Sequence, residues 1–312
     1  MTHHHLPATA DSVTVGILDQ AQSPVLTIES GDAVTLETLN HWADAVTPET
    51  TLEDVVGLRS IKYEGRGPHS LTGPIEIKGA RPGDVLRVDV ERLVVREHGF
   101  NLSMPGVFDL GLLPDQFPKG WIKHFKHDLD SMTTEFLPGV TVPLAPFLGI
   151  MAVAPEKPGP HHTMAPGNFG GNLDIPDITE GATLYLPVWV DGAKFSTGDA
   201  HSKQGHGEVC LTAIETAMSE VVLNFSLLEQ EGWTQPRVET DNAWITVGLD
   251  PDLDVAARLA VADMISLLGS EYQLSRKDAY ALCSITVDLS VSQLVNGVKG
   301  IQAKLPKSVF TG

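Results

Sequence analysis

Cysteine is nearly absent: Cys210 and Cys283 are the only two in 312 residues. Two thiols so far apart make neither a disulfide framework nor a zinc-thiolate site, and both stand in apolar runs, where a free thiol behaves as a small hydrophobe. Basic residues are scarce as well. Lysine and arginine total 21 against 40 aspartates and glutamates, a formal charge of −19, which argues against nucleic acid or an anionic membrane surface as a partner. No apolar run approaches the ~20 residues of a membrane span. No apolar h-region follows the N-terminus, and no repeat or low-complexity linker divides the chain. A soluble, cytoplasmic protein is expected. Also missing are Gly-x-Ser-x-Gly, Gly-x-Gly-x-x-Gly after a strand, and a phosphate loop, so neither a serine nucleophile elbow nor nucleotide chemistry is supported.

What is present is a core-forming composition, 42% apolar and 20% charged, enough for one large domain or two packed ones. The N-terminus through residue 11, with its His3-His4-His5 run, is expected as a mobile polar tail. From Ser12 onward short β-prone segments alternate with Gly/Pro turns, most clearly at Ile75 to Lys78 and Val85 to Val95, the pattern of antiparallel strands. The Gly99 to Gly139 segment is expected to be irregular and rich in aromatics, a candidate lid or binding loop. Within it His124 and His127, if helical, share a face that is either a metal site or a solvated surface.

Toward the C-terminus the period changes. Val255, Leu259, Ala262, Ile265 and Leu268 recur at helical spacing, with Asp252 or Asp254 as N-cap and Gly269 as stop. Ser275 to Asp278 opens a second helix as a capping box, and Leu289 to Val295 returns as helix or strand. The expected architecture is mainly β with an α+β portion: an antiparallel β-sandwich over residues 12–155, and a part spanning 156–312 that carries further strands and a smaller C-terminal α/β region, packed as one globular unit.

The stretch Gly198-Asp-Ala-His-Ser-Lys-Gln-Gly-His-Gly-Glu208 interrupts two apolar, strand-like runs, Leu184 to Ser196 and Val209 to Glu215. Burying ionisable groups there costs several kcal/mol unless they are paired or bound to a metal. Asp199 and His201 alternate on an extended chain and project to one side, a spacing that suits a divalent metal or, equally, a structural hydrogen-bonded pair. Glu208, beyond the Gly205-His206-Gly207 turn, is placed to fold back as a general base. Asp174 can join from the Pro166-Gly-Asn-Phe-Gly-Gly-Asn-Leu-Asp174 loop, where Asn172 shares its direction.

These blocks, with Tyr185-Leu-Pro-Val-Trp-Val190, Pro68-His-Ser-Leu-Thr-Gly-Pro-Ile75 and Pro82-Gly-Asp-Val-Leu86, resemble the acetamidase/formamidase family from about Val13 to Leu305. The resemblance implies hydrolysis of a small neutral amide of the acetamide or formamide type to carboxylate and ammonia. It also implies a homo-oligomer, dimer or higher, and a divalent metal, zinc first with calcium as a structural alternative. On the matching positions, Asp174, Asp199 and His201 are expected as metal ligands and Glu208, His201 and Asp199 as catalytic residues. His69, Asn172 and Gln204 are expected to bind substrate. Relatives that open γ-lactam rings make a cyclic amide the alternative substrate, and a non-catalytic binding module with a structural ion is the alternative class. His206 stands where the family pattern usually has Asp.

Overall fold

The structure is a computed structural model that describes residues 2–104 and 106–310. Its frame is two large, mostly antiparallel sheets. The first has nine strands in the order His3–Leu6, Ala33–Leu36, Met218–Leu228, Val85–Val95, Thr183–Pro187, Arg237–Glu239, Ala243–Asp250, Lys299–Pro306 and Asp288–Val291. The second has eleven strands and is built around Phe195–Lys203, which pairs with Phe147–Ala152, Ser70–Ile77 and Ile214–Thr216. Alternation turns one face of each sheet inward, and residues from both meet in a shared apolar core: Val88, Leu186 and Phe225 from the first, Ile75, Leu148 and Phe195 from the second. This is the expected sandwich.

The long helix Leu253–Tyr272 and the shorter Arg276–Thr286 cover the far end of the nine-stranded sheet. Ala256, Ala260, Met264 and Leu268 pack there with Ile301, Ala303 and Leu305 of the strand Lys299–Pro306. Asp252 caps the long helix by accepting from the Asp254 and Val255 amides, and Ser275 caps the second by accepting from the Asp278 amide. Arg237, 4% exposed, clamps helix to sheet through two bonds to Asp263 at 2.9 and 2.7 Å.

Several local expectations are corrected. Residues His3–Leu6 are a strand paired in parallel with Ala33–Leu36 rather than a free tail. Most of the segment expected to be irregular is a β-meander, His98–Ser103, Trp121–Asp128, Thr133–Leu137 and Val140–Pro143. His124 and His127 therefore stand three apart on a strand and face opposite ways. His124 bonds the Thr50 carbonyl and His98, whereas His127 is buried. The long helix runs through Gly269 to Tyr272 and ends on Gln273 in the left-handed region. Of the run expected as a strand from Val209, only Ile214–Thr216 is one; beyond residue 287 the chain returns as the strand Asp288–Val291.

Candidate functional site

Ala200 joins the inter-sheet core, while its neighbours Asp199 and His201 turn to the outer face of the eleven-stranded sheet. Their atoms lie 3.5 Å apart, Asp199 Oδ1 to His201 Nε2. On the adjacent strand Ile214–Thr216, the register sets Glu215 opposite His201, and Glu215 Oε2 is 3.1 Å from His201 Nε2. A second histidine closes the cluster. His41 Nε2 sits 3.1 Å from Asp199 Oδ1 and 3.2 Å from Glu215 Oε2.

His41 arrives on an unusual piece of chain. Trp42, Ala43 and Asp44, none of them glycine, all have φ between 54° and 60°. Each such residue costs about 1–3 kcal/mol and persists only where surrounding bonds dictate it. Here the Trp42 amide donates to the Pro68 carbonyl at 2.7 Å and the Ala43 amide to Ser70 Oγ at 2.8 Å. Asp44 accepts from the Asn40 amide and pairs with Arg96. The His41–Asp44 piece is therefore a left-handed turn rather than a helix. It roofs the cluster with Trp42, Phe100, Leu102, Met104 and Leu211.

Asp174 and Glu208 complete the site from two further loops, also in the left-handed region at φ 49° and 47°. Asp174 Oδ1 is 3.9 Å from His201 Nδ1, and Asn296 Nδ2 donates to Asp174 Oδ2 at 2.6 Å. Three overlapping sets of potential ligand atoms result, each within 4.8 Å: His41, His69 and Asp199; Asp174, His201 and Glu208; Asp199, His201 and Glu215. All seven residues are buried.

The electrostatics follow from this crowding. Burial pushes the Asp199 carboxyl up, but the imidazoles of His69 and His201 outweigh it and hold the group well below the usual carboxylate range. Burial also opposes the charge on His41, yet Glu215 and Asp199 lift it to about 9. Glu208 is driven well above its ordinary value by burial and then by the charge of Asp174. Asp174 rises to about 8, again by burial first. One carboxyl pair thus favours the acid form beside another held ionised. His69, buried and bonded through Nδ1 to the Thr163 hydroxyl at 2.8 Å, drops to about 4 and stays neutral.

The expected residues fare differently. His69 lies in the site, its Nε2 3.8 Å from Asp199 Oδ1. Asn172 lines the cavity, donates to the Met164 carbonyl and leaves Oδ1 unpartnered. Gln204 does not line the cavity; it braces it by donating to the Asp174 and Ser292 carbonyls. Asp174 and Asp199 fall in different ligand sets, with Glu215 taking the third place beside Asp199 and His201. His206 is solvent-facing, 4.0 Å from Asp177 and outside the cluster. Sequence reasoning missed His41 and Glu215. The one signal for Glu215 was a carboxylate at the end of an otherwise apolar run; His41 offered none beyond its neighbour Trp42.

A divalent cation suits this donor set. Four buried carboxylates face three imidazoles, and no lysine or arginine pairs with any of them among the described residues. Asp174 Oδ1, His201 Nδ1 and Glu208 Oε2 lack hydrogen-bond partners, which in dry protein asks for a proton or an ion. The cluster opens on a small, partly open cavity of about 30 Å³ lined by His41, Trp42, His69, Asn172, Asp199 and Glu208, among others. On the far side of Glu208 and Thr212 lies an open groove of about 500 Å³ walled by Trp121, Phe125 and Phe136.

A β-sandwich that buries a ring of carboxylates and imidazoles around a small cavity defines a protein with a metal-type polar centre. The chain belongs to the acetamidase/formamidase family, whose profile matches residues 20–162 and 160–312. Among solved structures it is similar to the acetamidase of Bacillus halodurans, with a TM-score of 0.87, 32% identity and 98% of each chain covered. The acetamidase of Yersinia enterocolitica gives a TM-score of 0.89 at 28% identity, covering 99% of this chain and 93% of that one. The γ-lactamase of Delftia acidovorans shares the fold at 23% identity and a TM-score of 0.68. Among sequence relatives, a Schizosaccharomyces pombe protein bearing a formamidase name is 30% identical over 245 residues, 62% of this chain and 58% of its own. The acetamidase of Mycolicibacterium smegmatis is 27% identical over 198 residues, 45% of this chain and 49% of its own. The chain thus spans about half the length of these sequence relatives.

Proposed function

We propose that the protein hydrolyses a small, neutral primary amide to a carboxylate and ammonia. The observation that carries this reading is the meeting of Asp199, Glu215, His41, His69 and Glu208 around a cavity of only about 30 Å³, roughly room for one or two water-sized groups, with His201 beside Asp199 and Glu215. Similarity to proteins named acetamidase and formamidase supports it.

In this reading Asp199, His201 and Glu215 hold a divalent cation, with His41 and His69 completing the set. Such an ion supplies polarisation of the amide carbonyl and a more acidic water. The protein's own groups do the rest. Asn172 Oδ1 accepts from the amide NH₂ and orients it. The water oxygen adds to the carbonyl carbon, and its proton passes to a buried carboxylate. Glu208 delivers a proton to nitrogen as the C–N bond breaks, so ammonia leaves and the carboxylic acid remains, then ionises. The apolar roof of Leu102, Met104 and Leu211 admits only a short acyl group and excludes bulk water, which strengthens each electrostatic contact. A bicyclic lactam is disfavoured by the same cavity size.

The test is ammonia release from formamide, acetamide, propionamide and a γ-lactam, with and without prior chelation and with metal analysis of the purified protein. Turnover falling with each added carbon and lost on chelation is the expected outcome. Retained metal with no ammonia from any amide would instead favour a binding module.

A further inference from the structure

We propose that the indole N–H of Trp42 donates to the substrate oxygen, making Trp42 the cavity's fixed donor for the carbonyl and the charge that develops on it. The inference rests on the amidase reading above and adds a residue to it. Trp42 lines the cavity and is 1% exposed. Its Nε1 has no acceptor among the described residues. An indole N–H is a donor in every protonation state, and a buried one is almost always partnered. Even half-buried indoles here are partnered: Trp121 Nε1 donates to Asn101 Oδ1 and Trp189 Nε1 to the Asn168 carbonyl, both at 3.1 Å.

The unpartnered atoms around the cavity form a complement to a primary amide. Asn172 Oδ1 is an acceptor without a donor, and an amide NH₂ has protons to give. Trp42 Nε1 is a fully buried obligate donor without an acceptor at the cavity, and an amide oxygen has lone pairs to receive it. Placement is the second argument. The backbone at Trp42 is held at φ 54°, ψ 41°, a conformation disfavoured for a large side chain. It is fixed by the Trp42 amide donating to the Pro68 carbonyl and by Tyr63 Oη donating to the Trp42 carbonyl. A ring wanted only for apolar packing needs no such clamp. A donor that must meet developing charge with little rearrangement does.

The indole N–H resonances of the ¹⁵N-labelled protein provide the test, since the chain has five tryptophans. The resonance missing from Trp42→Phe should move downfield when the product analogue acetate is added to saturation, while those of Trp121 and Trp189 stay. Trp42→Phe should lose about 10²-fold in kcat with metal content unchanged. A Trp42 resonance indifferent to saturating acetate, or a Trp42→Phe enzyme within twofold of wild type, overturns the inference. If Trp42→Phe does not fold, the wild-type resonance absent from the Trp42→Tyr spectrum identifies the signal, and the acetate titration still decides. A wild-type protein that releases no ammonia from any amide sinks the amidase reading instead.

Discussion

The backbone of Gly149 lies against the Asp199 carboxylate: a Cβ at position 149 would stand 2.6 Å from Asp199 Oδ2, 2.8 Å from Asp174 Oδ1 and 2.8 Å from His201 Cε1. The strand Phe147–Ala152 thus forms the floor of the cluster, and only an absent side chain leaves the two acids and the imidazole where they are. Gly149→Ala should destabilise by about 1–3 kcal/mol, as overpacking does, and should abolish turnover at temperatures where the variant is still folded. Thermal melts and ammonia release check both halves. A variant with half the wild-type rate would mean that the cluster is not the working site.

Glu215 bridges His41 and His201 and accepts from the Ala213 amide at 3.0 Å through Oε1. Glu215→Gln keeps the shape but turns an acceptor-only group into a mixed one. It should lower kcat/KM by about 10–100-fold and weaken retention of the metal, read by elemental analysis after dialysis. Unchanged metal content and turnover would remove Glu215 from the site.

His127 is buried against Gly99 and Ile214, with both ring nitrogens unpartnered. Burial, then the charge of His98, lowers its pKa from 6.5 to about 4. The unfolded chain therefore binds this proton at a higher pH than the folded one. The contribution of neutral His127 to stability is whole above pH 6.5 and is lost as pH falls through 4. His127→Phe should flatten that part of the curve of melting temperature against pH. A variant curve parallel to wild type between pH 6.5 and 4 would refute it.

Asp263 pairs with the buried Arg237, whose guanidinium also lies 4.1 Å from the Trp233 ring centre. Asp263→Ala strands a buried cation, which should cost about 3–5 kcal/mol, while kcat at low temperature stays near wild type because neither residue lines the cavity. Denaturant unfolding measures the loss; a cost under 1 kcal/mol would show that water or Trp233 satisfies the arginine.

The parts of this protein written in short-range pattern were legible. Period-two alternation in Val85 to Val95 and helical spacing after Asp252 led to the right elements, and Asp199-x-His201 pointed to one side of a strand that does carry both groups. What was hidden depends on long-range register or on backbone override. Glu215 matters because of pairing with His201 fourteen residues earlier. His41 reaches the site through a left-handed turn at Trp42, Ala43 and Asp44, of which Trp and Ala carry no local preference for that conformation. The Trp121–Asp128 strand was obscured because lysine and histidine on its polar face read equally well as a solvated helix.

Asn296, which holds Asp174 in place, lies 255 residues beyond His41. A polypeptide still emerging from the ribosome therefore carries His41, His69, Asp199 and Glu215 before the side chain that anchors Asp174 has been made.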